Sequence, residues 1–192
     1  MLYRIALTAL LYTYTQDSFF LKLSDAAVQL TQDPVRYDPS YFVIDYPNGD
    51  VPANKGVCTD VIIRAYRKMG IDLQKDVHED MAKNFSVYPR DWGLKKPDKN
   101  IDHRRVPNLR TFFSRHGTAL KPTLNPIDYE PGDIVTWDLG KGIAHIGVVI
   151  KESSPDKKRH LIVHNIGNGQ EISDCLVSFR ITGHYRYNPV AD

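Results

Sequence analysis

Residues 56–70 read GVCTDVIIRAYRKMG, and their apolar side chains recur at the spacing of one helix face. Gly70 is placed to end this helix, so the helix begins at or just before Cys58. A helix N-terminus carries unpaired N–H groups and a partial positive charge, which together lower the pKa of a thiol below its free value of about 8.5. The same N–H groups can bind an oxyanion during acyl transfer. Cys58 is therefore a candidate nucleophile; a small buried apolar side chain is the alternative interpretation.

A hairpin follows far downstream and supplies a candidate base. Segments 129–137 and 144–150 are rich in β-branched residues and flank a short Gly-containing turn, which predicts two paired strands. His145 stands at the start of the second segment, where the backbone holds an imidazole rigidly enough to act as a general base. A hydrogen-bonded histidine with a purely structural role is the alternative.

A third strand-like segment, 160–164, ends in His164 and is followed by Asn165 and a Gly-rich turn. If this strand pairs antiparallel with the strand of His145, either His164 or Asn165 can reach the far nitrogen of that imidazole. A cysteine hydrolase needs such a group to orient its histidine and fix the tautomer. Parity along the strand, and the place of His164 at the end of the apolar run, favour His164.

Three blocks together carry a family resemblance: GVCTD at 56–60, PGDIV at 131–135 with HIGVV at 145–149, and IVH at 162–164. In this chain order they resemble the NlpC-type cell-wall peptidases, a bacterial branch of the papain-like superfamily, over roughly residues 41–187. The resemblance implies an α+β fold of the papain-like NlpC type, in which the nucleophile helix packs on a small antiparallel sheet. It also implies that Cys58, His145 and His164 catalyse cleavage of a peptide or amide bond in bacterial peptidoglycan.

Two further functions stay open beside that expectation. One is a cysteine amidase, thioesterase or acyltransferase that acts on a substrate outside the cell wall. The other is a non-catalytic wall-binding module that keeps the fold and lacks a reactive thiol. The blocks at 46–50, 56–60 and 100–108 also resemble a bacterial family of unknown function.

The resemblance adds two candidate residues around the nucleophile. In the better-known NlpC relatives a tyrosine upstream of the cysteine contributes to the oxyanion site, and this role falls to Tyr46; an ordinary aromatic at a strand edge is the alternative. Asp60 stands where the NlpC-type sequences have a small residue, so it is a candidate contact for the substrate.

Residues 72–120 form an apparent helical insertion between the cysteine and histidine blocks. The spacing predicts helices at 74–85 and 107–116, joined by a loop that is rich in Trp, Arg and Asp. Such a loop near a catalytic helix often forms a substrate-binding rim. The most charged part contributes the candidate substrate contacts His103, Arg104 and Arg105, since a guanidinium fork matches the two oxygens of a carboxylate. Asn165 completes this set, and a salt-bridged surface turn is the alternative for the arginines.

Composition favours one compact domain. With 192 residues, of which 42% are hydrophobic, the chain can bury a substantial core. The expected division is an N-terminal segment at 1–40 and a single hydrolase domain at 41–192. A net charge of +2 is too small to indicate a nucleic-acid partner. No zinc-type spacing of histidines and no phosphate-binding glycine motif occurs, so neither a metal nor a cofactor is expected.

The N-terminus bears on location. An apolar run at 5–12 follows a single basic residue and resembles a weak or truncated export signal, which favours a periplasmic or secreted protein. It is too short to cross a membrane, so no integral membrane domain is expected. An amphipathic helix that continues to residue 30 is the alternative. A disulfide between Cys58 and Cys175 would remove the nucleophile; one reactive and one structural thiol is the pattern of a cysteine hydrolase. Nothing in the sequence indicates an oligomeric state.

Overall fold

The computed structural model describes residues 18–189, which form an α+β fold with four α-helices, a six-stranded antiparallel sheet and a separate pair of short strands. The α+β class and the antiparallel sheet expected from the sequence are therefore confirmed. The apolar run at 5–12, expected to be an export signal, lies outside the described residues.

Helix α2, Cys58–Lys68, is the central helix, and every residue from 58 to 66 is buried. The carboxylate of Asp60 accepts a hydrogen bond from the backbone N–H of Val57 at 2.7 Å, which caps the first turn. Gly70 adopts a φ of 79° just beyond the helix, the left-handed conformation that ends helices. The helix boundaries expected from the sequence are confirmed.

Three other helices surround α2. The two helices expected at 74–85 and 107–116 are confirmed, with each boundary displaced by at most one residue. Residues 18–30 are also helical, as the alternative interpretation of the N-terminus required. These helices are α1 (18–30), α3 (Leu73–Asn84) and α4 (Val106–His116), and short 3-10 turns occur at Phe85–Val87, Asp102–Arg104 and Pro126–Asp128.

The large sheet has the order β3-β8-β4-β5-β6-β7. The expected hairpin is formed by β4 and β5, in which Trp137 lies opposite His145, and β6 pairs antiparallel with β5. A small parallel pair places Tyr37 opposite Gly56, just before α2. The strands are β1 (Arg36–Tyr37), β2 (Lys55–Gly56), β3 (Thr118–Leu120), β4 (Ile134–Asp138), β5 (Ala144–Ser153), β6 (His160–His164), β7 (Glu171–Ser173) and β8 (Arg180–Arg186).

The main apolar core lies between α2 and the sheet. Ile62 of α2, Leu23 of α1, Phe113 of α4 and Ile146 of β5 belong to one buried cluster. The packed unit therefore starts before residue 41, and the helices of the 72–120 segment are part of its core. A second cluster includes Trp137, whose indole N–H donates to the carbonyl of Leu176 at 2.9 Å.

Candidate active site

Cys58 is the first residue of α2, and its thiol is buried at the start of β5. The backbone N–H of Ile146 faces the sulfur, as do those of Thr59 and of Cys58 itself. Ile146 directly follows His145, so α2 brings the candidate nucleophile to the strand that carries the candidate base. The N–H groups at the helix terminus are also the donors available to an oxyanion at this position.

The pKa of Cys58 is shifted in the direction opposite to the one expected from the sequence. Burial raises it to about 12, because a thiolate loses its hydration there, and the nearby carboxylate of Asp60 adds to the rise. The backbone N–H groups of Ile146, Thr59 and Cys58 lower the pKa, but their effect is smaller than that of burial. In the substrate-free protein the thiol is consequently protonated at neutral pH.

His145 and His164 form a hydrogen-bonded pair of imidazoles. The distance from His145 Nε2 to His164 Nδ1 is 2.7 Å, and both side chains are buried. Burial, followed by the proximity of His164, lowers the pKa of His145 to about 3, and burial also lowers the pKa of His164. Both rings are therefore neutral at neutral pH, and one of them must donate the proton that joins them.

The surroundings of His164 favour one direction for that hydrogen bond. Its Nε2 lies 2.6 Å from Ser173 Oγ and 3.9 Å from Glu171 Oε1, two acceptors that stabilise a proton on this nitrogen. His164 Nδ1 is then the acceptor, and His145 donates from Nε2. This leaves His145 Nδ1 without a proton, as a general base requires. The Ser173 hydroxyl, which accepts from His164, in turn donates towards the sulfur of Cys175.

Ser173 and Glu171 are site residues that the sequence argument did not include. They lie on β7, and the antiparallel register places Glu171 directly opposite His164. The signal available in the sequence was the short polar strand after the Gly-rich turn at 167–169. Cys175, expected to be structural, is buried with its sulfur 3.9 Å from His164 Nε2, and both cysteines are free thiols.

The thiol of Cys58 and the ring of His145 are not hydrogen-bonded to each other in this structure. The sulfur instead faces backbone N–H groups, and the ring lies near Trp137, with 5.9 Å between ring centroids. Catalytic hydrogen bonds are often loose without substrate and tighten in the Michaelis complex. The resting site therefore holds a neutral nucleophile and a neutral, oriented imidazole.

Asp60 and Arg104, both expected to contact substrate, are bonded to each other instead. Arg104 Nε and Nη2 donate to the two carboxylate oxygens of Asp60 at 2.9 and 3.0 Å, and each side chain is only 2% exposed. Thr59 Oγ1 donates to the carbonyl of Arg104 at 3.2 Å. This bidentate pair joins the first turn of α2 to the turn before α4, so it fixes the start of the helix that carries Cys58.

His103 and Asn165 also have structural positions that differ from the expected substrate contact. His103 is 2% exposed in a turn that packs on α2 and α3, and burial lowers its pKa to about 3. Asn165 is fully buried, and its Nδ2 donates to the carbonyl of Gly56 at 3.3 Å. Asn165 thereby ties the end of β6 to the strand that leads into Cys58.

The tyrosine at the thiol is Tyr37 rather than Tyr46. Tyr46 packs on α3, with its ring centroid 5.2 Å from that of His78, and is not at the thiol. Tyr37 lines the same groove as Cys58. Burial and then the proximity of Cys58 raise the pKa of the Tyr37 phenol, so it stays a hydrogen-bond donor. The sequence alone did not identify Tyr37, because its place near Cys58 follows from the parallel pairing of Tyr37 with Gly56, which depends on the tertiary fold.

A groove of about 650 Å³ opens at Cys58, within the range of about 300 to 1,000 Å³ found for small-ligand sites. Arg105, the remaining candidate contact, does line this groove, and its guanidinium stacks on Trp92. The lining residues are Tyr37, Pro39, Tyr41, Val57, Cys58, Thr59, Asp91, Trp92, Ile101, Arg104, Arg105, Val106, Pro107, Gly142 and Ala144.

Comparison with known proteins identifies the family of this chain. Residues 24–187 match the model of the family described as "Domain of unknown function (DUF1287)". The chain belongs to the DUF1287 family. It is also similar to "Uncharacterized protein YijF" from Escherichia coli (strain K12), with 54% identity over 167 residues, which cover 87% of this chain and 81% of that protein.

The DUF1287 match includes the whole candidate site, from Tyr37 and Cys58 to the histidine pair and Ser173. Within residues 18–189 no group of three or more His, Cys, Asp or Glu side chains is arranged to hold a metal ion. Over the same residues, no helix combines the length and the apolar character needed to span a bilayer.

Proposed function

We propose that this DUF1287 protein is a cysteine hydrolase that cleaves a peptide or amide bond in bacterial peptidoglycan, and that its α+β fold is of the papain-like NlpC type. The observation that carries the proposal is the convergence of three elements. A cysteine begins a buried helix, its sulfur lies beside the start of β5, and this strand carries a histidine whose far nitrogen is held at 2.7 Å by His164.

The proposed reaction begins with a neutral thiol, because burial holds the pKa of Cys58 at about 12. As the sulfur attacks the carbonyl carbon, His145 Nδ1 takes the thiol proton and later gives it to the leaving amine. His164 keeps the His145 ring oriented by accepting a hydrogen bond from His145 Nε2. The N–H groups at the start of α2, with the phenol of Tyr37, receive the oxyanion, and water then releases the acyl group from sulfur.

The proposed location is the periplasm or the cell exterior, where peptidoglycan lies. This part of the proposal depends on the apolar run at 5–12 and on the proposed substrate. Its test is the fractionation of cells that express the full chain, with recovery in the cytosol as the contradicting result.

A non-catalytic wall-binding module is the second candidate, and two observations favour it. Burial raises the pKa of Cys58, and no hydrogen bond joins Cys58 to His145. Such a module needs only the groove, in which Trp92 and Tyr41 expose rings of the kind that bind sugars and peptides. The two candidates differ in whether the wall is chemically changed.

The deciding experiment is mass spectrometry of the products released from purified peptidoglycan. The intact protein is compared with Cys58→Ala, His145→Ala and a control, Leu124→Ala, which changes a side chain that is 77% exposed. New muropeptides from the intact protein and from the control, but from neither site variant, establish a cysteine hydrolase and identify the bond. Wall binding that is equal for all four proteins, with no products, establishes the binding module.

A further inference from the structure

Arg105 is an arginine that lines the Cys58 groove. Its Nη1 is buried and has no hydrogen-bond partner. It forms no ion pair with any carboxylate among residues 18–189, whereas its neighbour Arg104 donates from Nε and Nη2 to the two oxygens of Asp60. A buried donor without a partner is costly, so this arrangement favours an anion supplied from outside the chain.

The guanidinium of Arg105 lies over the ring of Trp92. The centre of the guanidinium lies 4.1 Å from the centroid of the Trp92 ring, which is the geometry of a stacked cation–π contact. This contact covers one side of the guanidinium, and a guanidinium can donate two parallel hydrogen bonds to a carboxylate that approaches its edge. Trp92 is 44% exposed and lines the groove with Arg105, so this part of the groove is open to a ligand.

The acidic groups around Arg105 do not substitute for a ligand. Asp98 and Asp102 are close enough to oppose the effect of burial, which lowers the pKa of Arg105. One oxygen of Asp102 is taken by the backbone N–H of Asp98 at 2.6 Å, and neither carboxylate bonds the guanidinium. Asp91 also lines the groove, so the groove has one acidic residue besides the stacked arginine.

We propose that Arg105 and Trp92 form a subsite that binds a free carboxylate of the substrate, within the groove that opens at Cys58. The proposal rests on the proposed function and narrows its substrate to a wall peptide with a free carboxylate close to the bond that is cut. A peptide whose carboxylates are amidated presents a neutral group to the guanidinium and loses the bidentate pair. Arg105 is thus the specificity-determining residue.

The test uses full-length protein with Cys58→Ala, so that bound peptides are not consumed. Soluble muropeptides are prepared with a muramidase, and half of the preparation is amidated at its carboxyl groups with carbodiimide and ammonia. Calorimetry then gives the affinity for each form. We expect the amidated form to bind about ten- to a hundredfold more weakly, the loss typical of a charged hydrogen bond.

Two variants in the same background assign the effect. Arg105→Gln should bind the native muropeptides as weakly as the amidated ones, whereas Arg105→Lys, which keeps the charge and loses the fork, should lie between. Arg180→Gln is the matched control, since this arginine is 73% exposed and lies on β8, whereas Arg105 precedes α4. It should leave both affinities unchanged.

Equal affinity of the parent protein for the two forms overturns the subsite, as does a preference for the native form that survives in Arg105→Gln. Cleavage by the protein that retains Cys58 tests the proposed function separately. If native and amidated wall release equal amounts of product, the proposed hydrolase activity is supported and the carboxylate subsite is refuted. Arg105-dependent binding without any cleavage supports the subsite and removes the hydrolase.

Discussion

Replacing Arg104 by methionine removes one half of the ion pair that anchors the nucleophile helix. The side chains of Arg104 and Asp60 are each 2% exposed, so solvent does not screen their interaction appreciably. In Arg104→Met the carboxylate of Asp60 stays buried and keeps only the backbone N–H of Val57 at 2.7 Å. The carbonyl of Ser40 also loses the hydrogen bond of 3.2 Å that it accepts from the Arg104 guanidinium.

The expected loss is large because a buried charge is left without its partner. Removing one member of a buried ion pair typically lowers the free energy of unfolding by about 3–5 kcal/mol. Arg105→Met is a matched control, since it makes the same substitution one position further along the chain. Arg105 forms no ion pair with residues 18–189, and losing its contact with Trp92 should cost about 1 kcal/mol or less.

Urea unfolding followed by tryptophan fluorescence measures both losses, and Trp137, which is 1% exposed, reports on the core. The double variant Asp60→Leu/Arg104→Met should be no less stable than Arg104→Met alone, because it also removes the stranded carboxylate. The reasoning is refuted if Arg104→Met loses no more stability than Arg105→Met. It is also refuted if the double variant loses the sum of both single effects.

Three further predictions concern the chemistry of the site. With a pKa of about 12, Cys58 should react with iodoacetamide at a rate that rises about tenfold per pH unit from pH 7 to 10; a rate that levels off above about pH 9 would show an ordinary thiol. Ser173→Ala removes the hydroxyl that accepts from His164 Nε2. We therefore expect kcat for muropeptide release to fall about tenfold with KM unchanged, and the pH profile of kcat to shift. An unchanged kcat contradicts the assigned tautomer. Tyr37→Phe should lower kcat by about tenfold or more, whereas Tyr46→Phe should not, and the reverse order would return the oxyanion role to Tyr46.

Local periodicity was enough to place the candidate nucleophile and the histidine pair. The apolar spacing of 61–69 fixes the start of α2, because an amphipathic helix has one register that buries its apolar face. Strand alternation likewise predicted that His164 reaches His145, since antiparallel pairing of β5 and β6 follows from two apolar runs joined by a polar turn. Both patterns depend on residues that are close together in the chain, so they can be recognised in the sequence without the tertiary structure.

The tertiary structure decided what depends on distant contacts. Strand β8, close to the C-terminal end, inserts between β3 and β4, and no local pattern specifies that position. Arg104 and Arg105 are chemically alike and adjacent, and both line the groove; only the packing of residue 60 against residue 104 gives Arg104 an ion pair and leaves Nη1 of Arg105 without a partner.

The charge state of the nucleophile also depended on the tertiary structure. A helix N-terminus by itself lowers a thiol pKa, and this is all that the sequence around Cys58 indicates. The extent of burial is set by the core that α1 and β5 form around Cys58, and desolvation grows as water is excluded. Sequence therefore determined which residues form the site, whereas packing determined their protonation, because solvent exclusion is a property of the whole fold.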